Sequence, residues 1–167
     1  MEKERYCVSK IKFRAFIKST KEIVDVEWID FINKQITYHR IDFKDFGLVS
    51  SASFEEIELM QYTNLNDRNG KEIYEGDIVK YSFKDGEDIN TRVLEIFNDG
   101  VNFKTKELYR NYWLEKIDGV LKIKHGHLTK YKGETNLLCN VSGLVIYWYE
   151  VIGNIYEDKH LLECDAG

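Results

Sequence analysis

The sequence predicts an α+β protein that is predominantly β, with an N-terminal subdomain of strands and one short helix, followed by a β-meander or small barrel-like C-terminal half. Two observations support this fold class. The 167 residues include no proline, so glycine, asparagine and aspartate must form the turns. Segments between these turns alternate apolar with polar residues, as strands with one buried face do. Four dipeptides that tolerate the positive φ angles of hairpin turns lie close together in the chain: Asn69-Gly70, Asp85-Gly86, Asp99-Gly100 and Asp118-Gly119.

The hairpin around Asp118-Gly119 can be predicted residue by residue. A two-residue loop sets three pairs opposite each other: Ile117 with Val120, Glu115 with Lys122, and Leu114 with Ile123. This register places apolar residues on one face and an opposite-charge pair on the other. Upstream of this hairpin, the alternation predicts strands at residues 79–83, near 91–97 and at 101–103.

The N-terminal third contains further strands and one helix signal. Residues 23–29 and 35–43 are rich in β-branched and aromatic side chains, which predicts two strands. Ser53 and Glu56 have the spacing of a capping box, which predicts one or two helical turns within residues 53–60. Residues 10–17 alternate as another strand, with these inward positions: Ile11, Phe13, Ala15 and Ile17.

The C-terminal end is predicted to hold a buried strand. Residues 145–152 are apolar on both faces until the last third of the segment, which is typical of a strand inside a sheet or between two layers. Gly153-Asn154 is predicted to end it, and residues 158–163 are predicted to form a short helix carrying Leu161 and Leu162. We divide the chain into a β-rich subdomain at 1–60, a connector and first barrel strand at 61–79, and a β-meander or barrel-like subdomain at 80–167.

Composition restricts the location and the partners. The net charge of −5, from 24 basic and 29 acidic side chains, argues against non-specific phosphate binding. Cys7, Cys139 and Cys164 are odd in number and have no paired spacing, which predicts free thiols in a reducing cytoplasm. No apolar run reaches the roughly 18 residues that a membrane helix requires. We therefore expect a cytoplasmic protein that does not engage a membrane.

No residue pattern identifies a catalytic site. The sequence has no glycine-rich phosphate loop and no serine or cysteine nucleophile in a recognised motif. His125 and His127 could share a metal and support a metal-assisted hydrolase, but the remaining ligands would have to come from elsewhere in the fold. The alternative is two ordinary exposed histidines. We predict no catalytic residue, no metal site and no cofactor, and a protein that is not an enzyme.

Aromatic side chains make up 14% of the residues, more than a core of this size needs. Three interpretations remain open for them: core packing, a protein or self-association interface, and base stacking on nucleic acid. The nucleic-acid alternative would use a barrel face that carries Lys80, Tyr81, Lys122 and Lys124.

Residues 61–79 are the most distinctive stretch. In it, the Asp67 side chain is predicted to accept a hydrogen bond from the backbone two residues on, while Gly70 takes the left-handed conformation. Turns and packing account for the other members except Gln61, Tyr62 and Thr63, whose polar groups have no obvious local use. Those three are predicted binding residues, together with Tyr112, Trp113 and Trp148.

This stretch, QYTNLNDRNGKEIYEGDIV, resembles the signature of the YopX-like family of phage and prophage proteins. Residues 11–15 and 149–157 resemble two further segments of that family, in the family's order. The chain departs from the pattern at Asn64, where glycine is usual, at Phe16, where tryptophan is usual, and at 158–160, where Asn-Pro-Glu is usual. Because Asn64 can adopt the left-handed conformation, the turn is preserved.

The resemblance implies a predominantly β protein from a phage or prophage gene expressed in a bacterial cytoplasm. It implies no established activity and no accepted catalytic residues. We expect an accessory protein that binds a host or phage protein, for example as an inhibitor of a host process or defence system, ahead of a nucleic-acid-binding module. Homo-oligomerisation would cover the edges of a β-meander.

Overall fold

The computed structural model describes residues 10–39, 49–85, 88–110, 112–117, 120–125, 134–136 and 149–162. These residues form two large antiparallel sheets and a two-stranded ribbon, which confirms a predominantly β protein. The strands are β1 Phe13–Ile17, β2 Glu22–Asp30, β3 Gln35–His39, β4 Val49–Ser53, β5 Ile57–Asn66, β6 Glu72–Tyr74, β7 Asp77–Asp85, β8 Asp88–Asn98, β9 Phe103–Arg110, β10 Tyr112–Ile117, β11 Val120–His125, β12 Glu134–Asn136 and β13 Tyr149–Asn154.

The N-terminal sheet has the order β4-β3-β2-β1-β5-β6, and the C-terminal sheet has the order β12-β9-β8-β7-β13. Among the described residues the C-terminal sheet is open and not a closed barrel, so the predicted barrel-like closure is wrong. Its centre is nonetheless covered on both faces. Val79 and Ile96 pack with Ile73 on one face, and Ile78 and Val93 pack with Leu161 on the other. A strand covered on both faces needs apolar residues at successive positions, and Ile78-Val79 supplies them.

The β10–β11 hairpin has the predicted register. Ile117 pairs with Val120, Glu115 with Lys122, and Leu114 with Ile123. The β7–β8 hairpin and the β8–β9 connection at Asp99-Gly100 are also confirmed.

The predicted N-terminal helix is reduced to one 3₁₀ turn at Phe54–Glu56, and residues 57–60 belong to strand β5. The capping signal itself is confirmed, because Glu56 Oε2 accepts hydrogen bonds from the Ser53 amide at 2.9 Å and the Ser53 hydroxyl at 2.8 Å. The helical prediction failed beyond this turn because Ile57 and Met60 are taken into pairing with β1. The predicted boundary between residues 60 and 61 consequently falls inside one continuous strand.

Three smaller predictions also need correction. Ile11 is 80% exposed instead of inward, because β1 begins only at Phe13. Gly153 does not end the last strand, since β13 continues to Asn154 through a shift in register. The C-terminal helix is a 3₁₀ turn at Lys159–Leu161 that buries Leu161 and leaves Leu162 exposed.

Strand β2 takes part in two pairings, and the β2–β3 hairpin that it forms ends beside the 3₁₀ turn. Its first half pairs with β1 and its second half with β3, with a register shift between Val26 and Trp28. Strand β3 pairs with β4 so that Gln35 lies opposite Ser53, which places the β2–β3 turn next to the 3₁₀ turn. There the Phe54 amide donates to the Lys34 carbonyl at 2.9 Å.

Gly76 connects β6 to β7 with a φ of +78°, and a Cβ there would lie 3.1 Å from the Tyr156 ring. We expect Gly76→Ala to lower the free energy of unfolding by about 2 kcal/mol, because it combines left-handed strain of about 1–2 kcal/mol with a close contact. Gly100→Ala is the matched control, since its φ is +90° but nothing lies within 4 Å of the added methyl group. Urea unfolding should show the larger loss for Gly76→Ala; equal losses would contradict the packing argument.

Candidate functional site

A buried ion pair joins the two sheets. The Arg14 Nη2 atom on β1 donates to Asp77 Oδ1 at 2.6 Å, and the two side chains are 14% and 2% exposed. Asp77 Oδ2 also accepts the Tyr74 amide at 2.9 Å, and Asp77 Oδ1 accepts the Asn154 side-chain amide at 3.2 Å. One carboxylate thus holds strands from the beginning, middle and end of the chain.

This ion pair continues outward in a chain of polar contacts. The Arg14 guanidinium lies 4.1 Å from the centre of the Tyr74 ring, whose hydroxyl donates to Glu72 Oε2 at 2.8 Å. Burial, together with the bond to Glu72, raises the pKa of the Tyr74 hydroxyl. Glu72 is paired in turn with Lys12, and the hydrogen bond from Lys12 lowers the pKa of the Glu72 carboxyl. Each side chain in this network contacts at least one other member, although the buried Nε atom of Arg14 has no hydrogen-bond partner. We call the Arg14–Asp77 network and the Asp67 contacts described next the polar frame.

The predicted Asp67 turn is confirmed and has an additional role. Asp67 Oδ1 accepts the amides of Asn69 at 2.7 Å and Lys71 at 2.9 Å, and Gly70 has a φ of +83°. Asp67 Oδ2 accepts the Val151 amide of β13 at 3.0 Å, a contact between residues 84 positions apart. The turn is therefore a connection to the last strand as well as a reversal of the chain.

The three candidate residues of the distinctive stretch are placed differently from one another. The Tyr62 hydroxyl donates to Asn66 Oδ1 at 2.7 Å, and the Thr63 hydroxyl donates to the Ile73 carbonyl at 2.8 Å. Both residues are buried, so the premise that their polar groups lack a local use is wrong. Gln61 alone of the three is partly exposed. Asn64 has a φ of +64°, which confirms the left-handed conformation expected where the family has glycine.

For the remaining candidate residues, the structure gives only strand positions or nothing at all. Tyr112 and Trp113 begin β10, and His125 ends β11 opposite Tyr112. Their side chains, and residues His127 and Trp148, lie outside the described part of the chain, as do the three cysteines. Within the described residues no group of three histidine, cysteine, aspartate or glutamate side chains could hold a metal ion.

Two residues of the nucleic-acid alternative lie on opposite faces of the C-terminal sheet. Lys80 and Tyr81 are neighbours on β7, and successive strand residues point to opposite faces. The Lys80 ammonium lies 4.0 Å from the Glu150 carboxylate, while the Tyr81 ring packs 5.4 Å from that of Tyr149. Burial raises the pKa of Tyr149 to about 12. Lys80 and Tyr81 therefore cannot serve one stacking surface.

The β2–β3 hairpin ends in an exposed apolar group that the sequence argument missed. Trp28, Phe31 and Ile32 are 70%, 75% and 91% exposed, and we call these three residues the tip cluster. One signal was available, since Phe31-Ile32 puts two large apolar side chains in a turn between predicted strands. A turn exposed to water has no packing reason to carry them.

The tip cluster stands on a well-ordered turn. Asp30 Oδ1 accepts the amides of Ile32 and Asn33, both at 2.9 Å, and Asp30 Oδ2 accepts the Asn33 side-chain amide at 2.7 Å. The Phe31 ring contacts the Phe54 ring edge-on, with centroids 6.2 Å apart. The backbone is thus fixed in a shape that presents Ile32 to solvent, so little ordering entropy remains to be lost on binding.

These features define a class of protein with two antiparallel sheets, a polar frame between the sheets and an exposed tip cluster. The chain belongs to the YopX protein family, whose model matches residues 12–163. It is also similar to the crystal structure of protein EF1440 from Enterococcus faecalis, with 25% identity and a TM-score of 0.53 over 92% of this chain and 99% of that one. No curated protein matches. Nowhere in the described residues is there a helix of the length and apolarity needed to cross a membrane.

Proposed function

We propose that this protein is a phage or prophage accessory protein that acts by binding a host or phage protein, for example to inhibit a host process or defence system. The tip cluster is the observation that supports binding. Large exposed aromatic and aliphatic side chains on a fixed turn are typical of the residues that contribute most to protein interfaces. The phage origin rests on the resemblance of residues 61–79 to the family signature.

The proposal is tested by affinity purification from bacterial cells that carry or are infected by the phage, followed by mass spectrometry with and without nuclease. We expect at least one host or phage protein to be enriched over an unrelated bait of similar charge, in an amount that nuclease does not change. Enrichment of nothing above that bait would contradict protein binding. Loss of all enrichment after nuclease would favour the nucleic-acid alternative.

The two alternative functions, nucleic-acid binding and metal-assisted hydrolysis, predict different results. A nucleic-acid-binding module would retain single-stranded DNA or RNA at low salt and release it as salt rises. A metal-assisted hydrolase around His125 and His127 would purify with stoichiometric zinc, manganese or iron. The proposal of protein binding expects neither result.

A further inference from the structure

Carboxylates flank the residues of the tip cluster in the chain. Glu27 precedes Trp28 and Asp30 precedes Phe31, while Glu55 and Glu56 follow Phe54, whose ring contacts Phe31. Hydrogen bonds from Asn33 lower the pKa of the Asp30 carboxyl, and hydrogen bonds from Ser53 lower that of Glu56, so both are ionised at neutral pH. Four acidic residues thus neighbour the tip cluster, either directly in the chain or next to Phe54, and we call Glu27, Asp30, Glu55 and Glu56 the anionic rim.

The cations near this rim offset only part of its charge. Lys18 is paired with Glu58 at 2.9 Å and also donates to the Glu55 carbonyl at 3.0 Å, so its charge is already matched. His39 lies 2.9 Å from Glu27. Lys34 is the one cation of the β2–β3 turn itself, against four carboxylates in the rim. Among the described residues, the charges that neighbour the tip cluster are therefore net negative.

We infer that the tip cluster inserts into an apolar cleft on a partner protein whose edge carries lysine or arginine side chains. The inference rests on the proposed function and names the surface and the chemistry of the partner. The apolar side chains supply affinity by leaving water, and the rim attracts a cationic edge during encounter and aligns it afterwards. A partner with an acidic or neutral cleft would leave the rim carboxylates desolvated without counter-charges, at a cost in affinity.

A second copy of this chain is a poorer occupant for the same reason. In a symmetric dimer the same surface meets itself, so a contact through the tip cluster would bring the rim carboxylates of both copies together. Like charges placed across an interface repel. The charge distribution thus favours a different, cationic protein over self-association at this surface.

The experiment places a photo-crosslinking p-benzoylphenylalanine at position 32, and in a control protein at position 101, and irradiates each in lysate of the bacterial host. Val101 is a matched control because it is an exposed aliphatic residue in a turn, at 83%, on the other sheet. We expect a protein that crosslinks from position 32 and not from position 101. That protein is then purified and its affinity measured for the wild type, Ile32→Ser, Val101→Ser and Glu55→Gln.

We expect Ile32→Ser to weaken binding about tenfold or more and Val101→Ser to leave it unchanged. Glu55→Gln should slow association and flatten its dependence on salt, because one rim charge is removed. Far-ultraviolet dichroism checks that all variants are folded, which is expected since each altered side chain is exposed.

Four results would overturn the inference. One is a crosslink from position 32 to a second copy of this chain. Another is a partner that binds Ile32→Ser as tightly as the wild type, which would leave protein binding intact and move it to another surface. A third is a rate of association with the wild type that does not fall as salt rises, which would contradict a cationic edge on the partner. Absence of any captured protein with any bait would instead refute the proposed function itself.

Discussion

Replacing Arg14 with leucine is expected to lower the free energy of unfolding by about 3 kcal/mol or more. The substitution leaves Asp77, whose side chain is 2% exposed, without its cation. The amides of Tyr74 and Asn154 remain as donors, but neither carries a charge. A buried carboxylate in that position must be protonated or admit water, and either change costs stability. Urea unfolding followed by tryptophan fluorescence measures the loss.

Lys18→Ala is the control for this prediction. Lys18 pairs with Glu58 at 2.9 Å, but both side chains are more than 40% exposed. Exposed ion pairs contribute about 0–1 kcal/mol, because water solvates the partner that remains. If Arg14→Leu cost no more than Lys18→Ala, the buried pair would not be a main element of the frame.

Asp67→Ala is expected to lower the free energy of unfolding by about 3 kcal/mol, since it removes the acceptor of three backbone amides at once. Asp30→Ala is the matched control. Asp30 also accepts three hydrogen bonds, but all of them lie within its own exposed turn, where water can replace the carboxylate. We expect a clearly smaller loss from Asp30→Ala. Similar losses from both substitutions would show that the bond to Val151 adds nothing.

The charge of Asp67 gives this prediction a pH dependence. Burial raises the pKa of the Asp67 carboxyl, but the bonds from Val151, Lys71 and Asn69 together outweigh burial and hold the pKa below its usual value of 3.8. The stabilisation is therefore complete above pH 3.8 and is lost as the pH falls through the folded pKa. We expect the difference in stability between the wild type and Asp67→Asn to be constant from pH 7 to 5 and to shrink below pH 3.8. A difference that grew on acidification would contradict the direction of the shift.

Local signals in the sequence predicted local structure well. The register of the β10–β11 hairpin follows from its two-residue loop, and the Asp67 turn follows from an aspartate placed before Asn69-Gly70. The Ser53 capping signal was also correct for one turn of 3₁₀ helix. The helix failed to continue because pairing of β5 with β1, across forty or more positions of chain, outweighs the helical preference of residues 57–60.

The frame and the tip cluster depend on contacts that no local pattern specifies. Arg14 and Asp77 are 63 positions apart, and Asp67 and Val151 are 84 apart. Each residue has an ordinary solvated alternative, so only the folded topology selects its partner. Trp28 shows the reverse case, in which the residue type suggests burial and the fold leaves it exposed. A tryptophan near the end of a predicted strand is usually assigned to a core, but no described element packs over this side chain.

The contacts of Asp67 and Asp77 also set the order in which this protein can mature on the ribosome. Both carboxylates are synthesised before the middle of the chain, yet Val151 and Asn154 bind them only after 84 and 77 further positions have been added. Until β13 leaves the exit tunnel, the nascent chain holds two acidic groups without their C-terminal partners. A premature stop codon shortly before residue 149 would therefore leave both carboxylates without these C-terminal partners.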